Sequence, residues 1–305
     1  MLKKVKLLLF SLIGIFLLTG CGVDSIKVNN KLNENEIISY VQKSIYNETG
    51  DNVTVKIISK EDLKVCTAWI DDCFNYQKVD NGYSYTLEII NKDNTDIIAT
   101  GTYDDGYIIY DDKYTDGKSI KDSYFKSNYK AQKGLNLIKN EFTNALDEKF
   151  EKYYIFKDAS NDEGYAIFIN SSNYNDINNL LSNFNNTIIK YRDYVYTCYS
   201  VYIYKDENVF NSTNFELYNN GSEVYSGQSY GKNIIAQYTG KEVTRIGSSN
   251  EFNYDLFVSN GSSASETYDE YVDYNTFDYI VFRYDADPNS FVGANSPQLQ
   301  IFGVK

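Results

Sequence analysis

Ser123 and Ser127 each stand three residues before a lysine, Lys126 and Lys130. That spacing is the S-x-x-K arrangement of a serine nucleophile. The K-T-G tripeptide that accompanies it is absent, and both serines lie in polar sequence rather than at the head of an apolar helix. The two pairs are read as chance. Histidine is absent from all 305 residues. This excludes Ser-His-Asp and Cys-His catalysis in their usual forms, and zinc sites that need imidazole. Oxygen ligands remain. Asp158, Ser160 and Asp162 alternate as calcium ligands do, but Glu163 holds the position that needs glycine and Ile169 the one that needs a bidentate carboxylate. Asp285, Asp287 and Asn289 repeat the alternation, with Pro288 among them and Ser296 at the twelfth place. Both segments read first as Asx turns. A shallow calcium site at Asp285, Asp287 and Asn289 is the one metal site the sequence offers, and no other cofactor is expected. Glycoside hydrolysis needs two acids about 5–9 Å apart, and among 42 acidic residues the sequence selects no pair.

The N-terminus is more specific. Lys3, Lys4 and Lys6 precede an apolar run from Leu7 to Leu18. Twelve residues are too few to cross a bilayer, which takes about 20. A basic start, a short apolar stretch and small residues before a cut site describe a secretory signal over residues 1–20. Leu18-Thr19-Gly20-Cys21 resembles the lipobox of bacterial lipoproteins. The resemblance implies diacylglycerol transfer to the Cys21 thiol, cleavage after Gly20, and Cys21 as the new N-terminus. Two or more acyl chains give stable anchoring, at about 0.8 kcal/mol per buried CH2. The expected location is the extracytoplasmic face of the cell membrane, with Cys21 as lipid anchor. The resemblance covers the first twenty-two residues and implies nothing about the fold behind them. Gly22 to Asn33 is polar and shows no sustained period, so residues 21–33 are expected to be a tether. Twelve extended residues would reach about 40 Å.

Removing residues 1–20 takes three lysines away, leaving 26 basic and 42 acidic residues, a balance of −16. Nucleic acid is excluded as a partner, because its binding rests on phosphate neutralisation by Lys and Arg. Anionic lipid and wall polymers would be repelled as well. Solvated acidic faces account for most such charge. The 31 tyrosines could furnish contact surface at small entropy cost, although AT-rich codons for Asn, Lys, Ile and Tyr explain the same bias.

Four cysteines are present. With Cys21 assigned to the lipid, Cys66 and Cys73 enclose "TAWIDD" and are expected to form a disulfide in an oxidising compartment. So short a ring would pin a turn between two strands. Trp69, the sole tryptophan, lies inside it beside Asp71 and Asp72. Tryptophan is enriched at binding hot spots, and a cystine loop would present it with little entropy lost. Trp69 is therefore the candidate binding residue, against the plainer reading that it folds back onto the sheet. Cys198, inside "YVYTCYSVYIY", reads as a buried small hydrophobe.

These residues need elements to hold them. Asn33 and Glu36 form a capping box ahead of Ile37, Ile38, Val41 and Ile45, and Gly50 gives a stop. "NVTVKII", "YSYTLEII", "DIIATGTY" and "GYIIYDD" then read as strands, with "NKDNTD" and "DDG" as turns. A helix followed by an antiparallel meander predicts one α+β domain over 34–115, with element order similar to cystatin-like modules. Residues 116–130 are polar and aperiodic, and are expected to be a linker. From 131 to 305 a second α+β domain is expected. Apolar stripes at 135–150 and 177–188 mark its helices, "YYIF" and "YAIFI" a hairpin, and residues 194–204 a central strand covered on both faces. "NFELY", "SEVYS", "NIIAQYT", "YDLFVS", "FDYIVFRY" and "QLQIFGV" make it strand-rich, with Asn220-Gly221 as a tight turn.

The sequence thus favours a membrane-anchored, non-catalytic binding or interaction module with an unknown extracytoplasmic ligand or protein partner. A solute-binding protein serving a transporter is the alternative. It would share the lipobox and length, but such proteins alternate strand and helix, whereas strands here follow one another. A carboxylate-based hydrolase of wall glycans ranks third.

Overall fold

The computed structural model describes residues 25–70, 72–110, 119–157, 164–171, 174–204, 206–213, 243–249, 279–285 and 298–304. The fold is mixed α+β and mostly strand. It divides into two units, Met1–Gln132 and Lys133–Lys305.

The first unit opens with β1 (Ser25–Asn30) and α1 (Glu34–Thr49). In the capping box at the start of α1, Asn33 Oδ1 accepts from the Glu36 N–H at 3.1 Å, and the Asn33 N–H donates to Glu36 Oε2 at 2.8 Å. Gly50 ends the helix at φ 76°, a left-handed conformation that glycine adopts without steric cost. Spacing of four puts Ile37, Val41 and Ile45 on one buried face. Two long strands, β2 (Val53–Ile70) and β3 (Asp72–Asn91), pair antiparallel as a single hairpin. Next come β4 (Ile98–Asp104), β5 (Gly106–Tyr110), β6 (Ser119–Lys121) and β7 (Tyr124–Ser127). The seven strands run β6-β5-β1-β3-β4-β7, with β2 also on β3.

Helix α1 covers one face of this sheet. Its three buried residues meet Val53, Val55, Tyr85, Leu87, Ile89, Ala99 and Tyr103 in the main core. Each such aliphatic side chain contributes about 1.5–3 kcal/mol on burial. A second, smaller core lies further along the hairpin. There Ile26 of β1 packs on Leu63 and Val65 of β2 and Val79 of β3, with Val28, Tyr107 and Ile109 around them.

Two expectations are corrected here. Residues 21–33 are not a tether throughout, because residues 25–30 form β1. This strand pairs antiparallel with β5 from Ser25↔Tyr110 to Asn30↔Gly106, and parallel with β3 at Lys27↔Asp80. Ile26 and Val28 are its only inward apolar positions, too few to show a period in the sequence. Residues 116–130 are not a linker either, since β6 pairs with β5 and β7 with β4. Phe125 packs against the main core while exposed Tyr124 and Lys126 flank it, so an edge strand reads as a charged loop.

In the second unit lies most of α2 (Tyr129–Asp147), which begins in the first. It is followed by β8 (Tyr153–Lys157), β9 (Gly164–Asn170), α3 (Tyr174–Tyr191), β10 (Cys198–Tyr204) and α4 (Glu207–Ser212). The last described strands are β11 (Val243–Ser249), β12 (Tyr279–Asp285) and β13 (Gln298–Val304). Strand order is β11-β13-β12-β10-β9-β8. Among the described strands of this sheet only β9 and β10 pair in parallel, with α3 as the crossover. On the helix side, Phe142 of α2 lies 4.0 Å from Phe184 of α3 and 5.7 Å from Tyr199 of β10, ring centre to ring centre. A residue along the strand the direction alternates, and Tyr202 stacks on Phe168 at 4.4 Å. All seven residues of β10 are buried between β9 and β12. The strand begins at Cys198 rather than 194, because the Tyr194 N–H still bonds to the Tyr191 carbonyl as α3 ends. Gly134 of α2 is needed for close packing, since a Cβ there would stand 2.5 Å from the Tyr194 Cβ.

The runs "NFELY", "SEVYS", "NIIAQYT" and "YDLFVS", and Asn220-Gly221, lie outside the described residues. Among those described, no helix is long and apolar enough to cross a membrane.

Candidate functional site

The β2–β3 hairpin carries the candidate site at its end. Cys66 and Cys73 are joined by a disulfide. Between them the ladder continues through Trp69↔Cys73 to Ile70↔Asp72, with register shifts at Cys66/Ala68 and Ala68/Trp69. Such bulges raise the local twist of a hairpin, and the cross-link holds that twist in place. Closing a ring over a sequence separation of 7 removes loop entropy worth about 2.4 kcal/mol from the unfolded chain. Trp69 is therefore a strand residue next to the cross-link, not part of a free loop. Two residues beyond Phe74, Tyr76 is 63% exposed, the most open large aromatic or aliphatic side chain among the described residues.

Further along the same hairpin is a polar cluster that the sequence did not announce. Asp105, between β4 and β5, is 1% exposed. Its N–H donates to the Tyr83 carbonyl and its Oδ2 accepts from the Tyr83 N–H, both at 3.0 Å. Its Oδ1 is buried and has no hydrogen-bond partner among the described residues. Burial pushes this carboxyl above its ordinary value, against the opposing pull of that backbone bond and of Lys31 and Lys60. Both lysines lie against tyrosine. Lys31 Nζ is 4.6 Å from the centre of the Tyr83 ring, and Lys60 Nζ is 4.4 Å from Tyr83 and 5.2 Å from Tyr85. A hydrogen bond to Tyr85, with smaller help from Glu34 at 3.6 Å, raises the Lys60 amine above its usual range. The arrangement is a buried acid in the field of two amines seated on aromatic faces, without a nucleophile among the residues named. Its only trace in the sequence is Asp104-Asp105-Gly106, which reads as a turn.

A third feature is an open groove of about 350 Å³ on α2 and α3, lined by Asn144, Asn183, Asn186 and Glu148 among others. Its central acid, Glu141, already accepts from Lys190, Tyr191 and Thr187. The first two of these bonds hold it below the usual carboxylate range.

The remaining sequence candidates do not assemble. Asp285 ends β12, opposite Cys198 and Gln298, while Asp287 and Asn289 lie outside the described residues, as do Asp158, Ser160, Asp162 and Cys21. Among the described residues no three His, Cys, Asp or Glu side chains gather as a metal group. Lys126 is in strand β7 and Ser127 ends it, two residues before α2 begins at Tyr129, so Ser127 does not lie on a helix. Cys198 is buried and outside any disulfide.

No protein-family model, curated protein or solved structure matches the chain.

Proposed function

We propose that the chain is an extracytoplasmic lipoprotein, anchored through Cys21, whose first unit is a non-catalytic binding module. The observation that carries this reading is Leu18-Thr19-Gly20-Cys21 at the end of a twelve-residue apolar run with a basic start. The complete lack of histidine, and S-x-x-K pairs that stand without K-T-G, support a binding role over a catalytic one. The cystine-braced end of the β2–β3 hairpin, with Trp69, is the proposed binding element. Helix α1 followed by antiparallel β2, β3, β4 and β7 packed against it supports a cystatin-like order for this unit. A transporter-associated solute-binding role is less well supported. The second unit has one strand–helix–strand crossover, and its other described pairings are antiparallel.

Expression of the full chain and of Cys21→Ser in a lipoprotein-processing bacterium tests the reading. The parent should sediment with membranes and partition into detergent, and Cys21→Ser should be lost from both fractions. Equal distribution of the two would overturn it.

A further inference from the structure

Strand β1 stands between two strands whose own registers already match. Lys27 pairs in parallel with Asp80 of β3 on one side and antiparallel with Ile108 of β5 on the other. Asp80 and Ile108 are therefore level across it. The β3–β4 ladder gives the same level independently. Its pairs run from Ile90↔Ile98 to Ser84↔Asp104. Carried past Asp105 without a shift, that register sets Gly82 opposite Gly106 and Asp80 opposite Ile108. With β1 removed, β4 and β5 would form one unbroken strand along β3.

Asp105 is where the ladder is interrupted. Hydrogen-bonded pairs alternate along an antiparallel ladder, and the bond from the Asn91 N–H to the Ile97 carbonyl places them at odd-numbered residues of β3. Tyr83 and Asp105 are the next such pair after Tyr85 and Tyr103. One half is regular, with the Asp105 N–H donating to the Tyr83 carbonyl. In the other half the Tyr83 N–H donates to Asp105 Oδ2, where the Asp105 carbonyl would belong. The side chain closes the ladder, and β5 turns aside to admit β1. Backbone strain lies at the same level. Asn81 has φ 57°, a left-handed conformation that residues other than glycine enter at a cost, and such residues gather at switch regions. Lys31, the residue after β1, donates from Nζ to the Asn81 carbonyl at 3.0 Å. Strand β3 also bulges here against β2, where Asp62↔Tyr83 is followed by Lys64↔Lys78.

We propose that β1, residues 25–30, is a removable strap and that the first unit has two states. In one the strap is in, as in this structure. In the other it is out, and β5 pairs directly with β3 in the register that β4 already sets. The hold on β1 is slight for a strand with a neighbour on each side. Ile26 is buried, Val28 is half-buried, and the pairing toward β3 is at Lys27. Its departure takes Lys31 from Asn81, lets the bulge in β3 flatten, and returns the Asp105 carbonyl to the ladder. Anything that draws residues 25–30 away favours the second state. The argument uses registers within the first unit and does not rest on the lipoprotein reading.

The full chain carrying Asp80→Cys and Ile108→Cys tests the proposal. With β1 in place the two Cα atoms are two strand spacings apart, about 9.5 Å, beyond the roughly 7 Å limit for a disulfide. As direct neighbours they would be about 4.5 Å apart. Asp80→Cys with Ile120→Cys is the control, because Ile120 lies one strand beyond Ile108 and meets residue 80 only in an unfolded chain. Under mild oxidation, peptide mass mapping should find the 80–108 bridge forming well ahead of the 80–120 bridge. Adding Ile26→Ala should speed the 80–108 bridge about 50-fold, the effect of three buried carbons. A bridge no faster than the control, or one indifferent to Ile26→Ala, would overturn the proposal. Hydrogen exchange of the unaltered chain gives a second reading. Amides of β1 should exchange ahead of the β4 amides that pair with β3, and exchange of both together at the rate of global unfolding would overturn it.

Discussion

Ile26→Ala tests whether residues 25–30 are a strand of the fold. Ile26 is 4% exposed and packs on Leu63, Val65 and Val79. The substitution removes three carbons, worth about 2.4 kcal/mol at about 0.8 kcal/mol per buried CH2. Such truncations cost about 2–5 kcal/mol, depending on how far the site collapses. The core here is small and lies beside a hairpin that can shift, so the cost should fall near the lower end, about 2–3 kcal/mol. Urea unfolding followed by Trp69 emission reads the effect, because Trp69 lies on the hairpin that supplies the other three residues. Lys27→Ala, one position along and exposed, is the control and should stay within about 0.5 kcal/mol of the parent. A tether would be silent at both positions. If Ile26→Ala also stays within about 0.5 kcal/mol, the packing argument for β1 fails.

Replacing Cys66 and Cys73 together by serine should lower the stability of the first unit by about 2.4 kcal/mol, read from the same Trp69 transition; reducing agent should reproduce the loss in the parent only. Tyr129→Phe should cost about 1–3 kcal/mol, because the Tyr129 hydroxyl accepts from Asn91 Nδ2 at 2.6 Å and donates to Asp51 Oδ2 at 3.0 Å in a buried site. Burial pushes Tyr129 and Tyr153 up to about 12, and Tyr165 up as well. Their stabilisation is complete below pH 10 and is lost as pH rises from 10 toward 12, so circular dichroism should show alkaline unfolding in that window, weakened in Tyr129→Phe. Asp105→Asn should raise the urea midpoint at pH 7 and leave it unchanged at pH 3. A carboxyl raised on folding contributes stability below its ordinary value of 3.8 that is lost as pH rises. A fall at pH 7 instead would mean that Lys31 and Lys60 outweigh burial.

Helix α1 was fully legible, since Asn33, Glu36, the stripe Ile37–Val41–Ile45 and Gly50 are local signals that need no tertiary partner. Strands β9 and β10 were legible because buried strands are apolar at nearly every position. Strand β1 escaped because two inward residues make no period, and β7 because its edge position puts Tyr124 and Lys126 in solvent. The length of the β2–β3 hairpin was hidden for a different reason. Beyond Ile57 it is twisted by bulges and carries Lys60, Glu61, Asp62 and Lys64, so alternation fades while pairing continues. The cystine was legible from the spacing of Cys66 and Cys73. The Asp105 cluster was not, because it joins Lys31, Lys60 and Tyr83 across distances in sequence that only the register defines.

The most direct measurement is the mass of the mature N-terminus, taken from membrane-extracted protein after proteolysis. The account predicts a terminal peptide that begins at Cys21 and carries diacylglycerol on its thiol. A mature chain that begins elsewhere, or an unmodified Cys21 thiol, would contradict it.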